Sequence, residues 1–142
     1  MPGTALWCLC LLFVLRVVGQ VLVAFFGVGW LPPMEEWQSG LLPYPVLLGS
    51  QFAIIGLLVK VCVDLSRGRG FFAQERAWFG RPASWVGCVY FGGMLVRYAL
   101  RMQLVPEARW LGGTIPIVFH CVLASFIILF ARVHLARSLP CR

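Results

Sequence analysis

The side chains able to do chemistry in this chain are few, and most stand inside long apolar runs. Arg16 and Gln20 are four residues apart in an aliphatic stretch, which places them on one helical face with Ala24 and Gly27. Arg16 lies near the middle of that stretch, about 15 Å from either end of a helix. A cation at such depth costs about 2.5 to 10 kcal/mol unless it is solvated or paired, so it is a functional candidate. No acid lies inside an apolar block: Glu35, Glu36 and Glu107 fall in connections on one side, Asp64 and Glu75 on the other. The partners open to Arg16 within the chain are Gln20, Gln51, His120 and free backbone carbonyls. Outside it they are a lipid phosphate, an acidic residue of a partner subunit, or a quinone-like polar head. The bland alternative is snorkelling, or solvation by the neutral groups.

Arg97 and Arg101 form an i, i+4 pair with Tyr98 beside them. They either snorkel to headgroups and pair with Glu35, Glu36 or Glu107, or build an outer anion site that Arg109 could join. His120 and His134 are fourteen residues apart, so on a helix they share a face at a spacing of about 21 Å. Each could give one axial ligand to a separate b-type haem, with a homodimer supplying the second. The simpler alternative is a hydrogen-bonding His120 and a wet His134 among Arg132 and Arg137. Lys60 and Asp64 read as a helix-end anchor. The six cysteines include no C-x-x-C pair; five lie within or at the edge of apolar blocks and read as small hydrophobes, and Cys8 and Cys10 point to different sides of a helix, so no metal site is expected. No nucleophile elbow, zincin, Walker or Rossmann pattern occurs, and no carboxylate pair sits at catalytic depth. No catalytic residue is assigned.

The elements that position these groups follow from composition. Of 142 residues 61% are hydrophobic and 12% charged, with mean hydropathy +0.88, where a soluble domain is about a quarter charged. That excludes an ordinary soluble globule and a disordered tail. The apolar blocks are about 20 residues long, enough to cross a bilayer as helices. Four spans are predicted, at about 5–29, 45–63, 83–100 and 114–131, forming a single all-α integral membrane four-helix bundle with sequence neighbours antiparallel and adjacent. Residues 5–15 resemble a signal-peptide core, but Arg16 stands where a cleavage site belongs, so retention as a first span is expected.

The net charge of +7 falls on loops and helix ends, so it speaks for topology and anionic lipid headgroups rather than nucleic acid. The 64–82 loop and the tail hold Arg67, Arg69, Arg76, Arg81, Arg132, Arg137 and Arg142, against Arg101 and Arg109 on the opposite side. Both termini and the basic loop are therefore expected in the cytoplasm of a multi-pass inner-membrane protein. The loop mixes arginines with Phe71, Phe72, Trp78 and Phe79, which suits a segment lying along the headgroups. Small residues offer close packing: Gly49, Ala53 and Gly56 in the second span, and Ala83, Gly87, Gly92 and Gly93 in the third.

The run Arg16-Val-Val-Gly19, the stretch Phe25-Phe26-Gly27, Trp37-x-x-Gly40-Leu41-Leu42-Pro43, and the glycines at 49 and 56 give the first half of the chain a resemblance to the DoxX-like family of small four-helix membrane proteins. Length, span number and inside termini also fit. The family often carries a glutamate in its second span, where Gln51 stands here, and the third and fourth spans, with Arg97, Arg101 and the 115–120 run, depart from it. The resemblance implies an accessory role, with some members tied to quinone-linked redox complexes. The chain is thus expected to be a non-catalytic accessory or assembly subunit, bound to other membrane subunits or to its own copies. The alternative is a quinone- or haem-binding redox subunit using Arg16, Gln20, Gln51 and His120. A transporter is disfavoured, because 142 residues give too few helices for two halves.

Overall fold

The computed structural model describes residues 2–37, 42–74, 77–104 and 113–138. These are helical, with no strand among the described residues. The helices are α1 (Pro2–Phe26), α2 (Met34–Trp37), α3 (Tyr44–Arg67), α4 (Ala77–Leu104) and α5 (Ile115–Ser138). Gly27, at φ +57°, ends α1, and the two prolines Pro43 and Pro45 open α3, where a missing N–H costs nothing. The last turn of α3 closes on Gly68, a left-handed residue whose N–H donates to Asp64 O.

Three helical segments are long and apolar enough to span a membrane: Gly3–Phe26, Tyr44–Arg67 and Ile115–Ala136. The 28-residue α4 is longer than any of them but carries Arg81, Arg97 and Arg101 and is not among the three. It begins at Ala77, inside the 64–82 segment expected to lie as a headgroup loop, although Gly80 and Pro82 are poor helix formers, and Gly80 packs there on Leu135 of α5. Pro82, within its first two turns, removes one ladder bond.

Each helix has few partners. α3 lies against α1, α1 against α5, and α5 against α4. The order across the molecule is therefore α3, α1, α5, α4. This corrects the expectation that every sequence neighbour packs on the next, since α3 and α4 do not pair. The reason lies in the surfaces offered. α1 presents a seven-residue repeat of buried positions, Leu6, Cys10, Phe13, Val17 and Gln20, a seam suited to a second helix. α4 approaches α5 through Gly87, where an added Cβ would lie 2.7 Å from Ile128 Cγ1 and 3.1 Å from its backbone nitrogen.

The pairs are antiparallel. Trp7 Nε1 donates to Ser66 Oγ at 3.0 Å at one end of the α1–α3 seam, and Gln51 meets Gln20 further along. Gly80 lies by Leu135, and Gly87 by Ile128, along α4 and α5. The start of α1 and the ends of α3 and α5 therefore share one end of the molecule. Leu6, Phe13 and Val17 form the core with Leu58, Cys62, Phe126 and Phe130. Elsewhere large apolar side chains face outward, Trp85 at 74% exposure among them, as lipid-facing surfaces do.

Asp64 organises the turn after α3. It is nearly buried, paired with Lys60 Nζ at 3.3 Å, and accepts the Phe72 N–H at 3.3 Å. Gly70 (φ +113°) lies against it so closely that a Cβ would stand 2.5 Å from Asp64 Cγ. Gly70→Ala is therefore expected to cost about 1–3 kcal/mol, read as a fall in thermal midpoint in detergent. An unchanged midpoint would mean that the turn is not held this way.

Candidate functional site

Three of the buried polar groups gather along the second half of α1. Arg16 is 8% exposed, Gln20 0% and Gln51 3%. Gln20 falls on the buried repeat of α1 and Gln51 on the inner face of α3, so the two amides meet across the seam. Gln51 Nε2 donates to Gln20 Oε1 at 2.8 Å.

Arg16 turns to another partner. Its Nη2 donates to the backbone carbonyl of Trp37 at 2.8 Å, and its guanidinium lies 5.6 Å from the centre of the Phe119 ring on α5. Trp37 reaches this depth because the chain after Pro32 and Pro33 folds back as the short α2. The indole is buried, donates through Nε1 to Pro32 O at 2.9 Å, and rests on Gly19. A Cβ at position 19 would lie 2.7 Å from Trp37 Cη2. Glycine is what lets the ring seat, and the seated ring brings the carbonyl to Arg16. Trp37 and Gly19 are thus site residues that sequence reasoning treated only as loop and motif positions. The signal for them was a tryptophan soon after a Pro-Pro break, together with a glycine three residues beyond the buried arginine.

Arg16 therefore sits against a carbonyl dipole and an aromatic face, with no carboxylate partner among the described residues. Arg16 Nε, Gln20 Nε2, Gln51 Oε1 and Tyr44 OH have no hydrogen-bond partner among the described residues. Chemically the cluster is three spare donor or acceptor positions around a cation in an apolar layer. It can hold a neutral or anionic polar head, but offers no nucleophile or general base. A lone buried cation is costly to keep. Arg16→Leu is thus expected to leave stability, read from the thermal midpoint, within about 1 kcal/mol of the parent or above it, so any lost ligand or partner in that variant reports function rather than folding.

No known family model matches the chain. Neither a curated protein nor a solved structure matches it either.

The other candidate residues have other packing partners. His120 packs on Tyr90 of α4, ring centres 5.9 Å apart, and does not hydrogen-bond Arg16, Gln20 or Gln51. His134 is 3% exposed and sits edge-on to Phe130 at 4.5 Å. This corrects the expectation of a wet histidine: its arginine neighbours in sequence flank it, but the α5 face it occupies points inward. The two histidines face different neighbours. Arg97 and Arg101 share one face of α4 in an open groove with Gly93, Leu100 and Leu104. Arg101 also reaches Gly113 at the start of α5. Arg109 lies outside the described residues. Cys10 and Cys62 are buried and reduced in the core. No group of three metal-ligating side chains occurs among the described residues.

Proposed function

We propose that the chain is a non-catalytic subunit of a larger membrane assembly, docking to a transmembrane helix of a partner or of a second copy through the outer face of α3. One observation carries this. Gly49, Ala53 and Gly56, the stripe of small residues suited to close helix approach, face away from α1 and are exposed, and no atom lies within 4 Å of a Cβ built at either glycine. Meanwhile Gln20, Gln51 and Arg16 are engaged in holding α1 to α3 and to Trp37. The polar side chains face inward and the small ones face outward.

In this reading α4 is the third span of a four-helix bundle, its arginines toward the two ends and its apolar face in lipid. The shared end of α1, α3 and α5 faces the cytoplasm of an inner membrane, where the arginines meet anionic headgroups. The DoxX-like resemblance of the first half fits such an accessory role. Gly49→Leu and Gly56→Leu test it. Each is expected to keep the thermal midpoint of the isolated chain, since the added side chain enters open space, and to lose the assembly band on a native gel of solubilised membranes. A band unchanged in both variants would overturn the reading.

The unpartnered atoms of Arg16, Gln20 and Gln51 favour a second reading, a redox subunit holding a quinone head there. Quinone recovered by solvent extraction from the parent but not from Gln20→Leu would favour it, and a Soret band would bring haem on His120 or His134 into it.

A further inference from the structure

The geometry points to a binding site for one acyl chain of an anionic phospholipid in the cleft between α3 and α4. Because these two helices do not pair, a cavity of about 340 Å³ opens between them, within the range of about 300–1,000 Å³ of ligand pockets. Leu57 and Val61 of α3, Ala83 and Val86 of α4, Phe130 of α5 and Phe72 of the connecting turn line it. No polar surface is offered anywhere in it. An open apolar cleft of that size leaves its walls without dispersion partners until something apolar fills it, and water finds no hydrogen-bond partner there. A whole helix, about 10 Å across with its side chains, is too bulky for it, whereas a flexible hydrocarbon chain fits.

Charge settles which lipid. The turn that caps one end of the cleft is bracketed by Arg67 at the end of α3, Arg69 just after it, and Arg81 beside the lining residue Pro82, all three exposed. Asp64, the acid nearest Arg67 and Arg69 in sequence, is buried and paired with Lys60. A headgroup phosphate can sit among these arginines with its acyl chain running down the cleft. The inference rests on the membrane reading of the chain but not on the docking role of α3, and the lipid test can fail while the native-gel test succeeds.

The test reconstitutes the full chain in phosphatidylcholine nanodiscs doped with phosphatidylglycerol carrying a photoreactive group on one acyl chain. Adducts are expected to concentrate on Val61, Val86 and Phe130 over Trp85 and Val89, which face outward elsewhere on α4. Ala83→Trp, filling the cleft, should abolish those adducts. Arg67→Gln, Arg69→Gln and Arg81→Gln should each lower the preference for the phosphatidylglycerol probe over its phosphatidylcholine analogue about fivefold. Adducts spread evenly over the outward faces would overturn the site. Equal labelling by both lipids, unmoved by the arginine variants, would overturn its anionic selectivity. Should Ala83→Trp fail to give a monodisperse protein, the parent adduct map and the arginine variants decide alone.

Discussion

Gly19→Leu is expected to be among the most damaging single substitutions in the chain, lowering stability by about 3–5 kcal/mol. A Cβ at that position already stands 2.7 Å from the Trp37 ring, and the rest of a leucine would have to occupy the indole's own volume. Trp37 must then leave its seat. Its carbonyl leaves with it, and Arg16 loses the hydrogen bond that compensates its burial. Stranding a buried charge is far more costly than removing it, so Gly19→Leu and Arg16→Leu should differ sharply although they disturb the same contact. The double variant Gly19→Leu/Arg16→Leu should recover part of the loss. Thermal midpoints in one detergent check all three. A Gly19→Leu midpoint within error of the parent would show that Trp37 does not sit on α1.

The second large effect concerns the amide pair. Gln20→Leu leaves Gln51 buried with neither its carbonyl nor its amine satisfied, and should cost about 1–3 kcal/mol. Gln51→Leu should do the same from the other side. The double variant Gln20→Leu/Gln51→Leu replaces both partners with apolar groups of similar size, and is expected near the parent's stability. Such coupling within membranes averages about 0.6 kcal/mol and reaches about 1.7, which a double-mutant cycle resolves. Additive losses would mean that the two amides do not meet. If the double variant is stable yet loses bound quinone, the pair holds a ligand as well as the seam.

How far the sequence reveals these features depends on what each one rests on. The helices and the depth of Arg16 are legible because twenty apolar residues admit one backbone solution in hydrocarbon. Gln20 and Gln51 stand out as candidates for the same reason: a polar amide in such a run needs an internal partner. The partner of Arg16 is not legible. A backbone carbonyl carries no residue signature, and whether Trp37 delivers it depends on a fold-back fixed by Pro32, Pro33 and Gly19 together. His120 has the right depth to join the cluster, but its position on α5 turns it to Tyr90 instead. His134 misleads because Arg132 and Arg137 beside it suggest water, while helical rotation carries it inward onto Phe130. The outward stripe of Gly49, Ala53 and Gly56 is readable as a packing face. Its free state is not, since that follows from α3 pairing with α1 and leaving α4 to α5.

The most direct measurement of the α3 docking role places a photoreactive amino acid at Ala53 and irradiates native membranes. The expected result is a single protein adduct of defined mass, stoichiometric with the chain and absent from membranes carrying Gly56→Leu as well. Adducts with lipid alone at that position would contradict it.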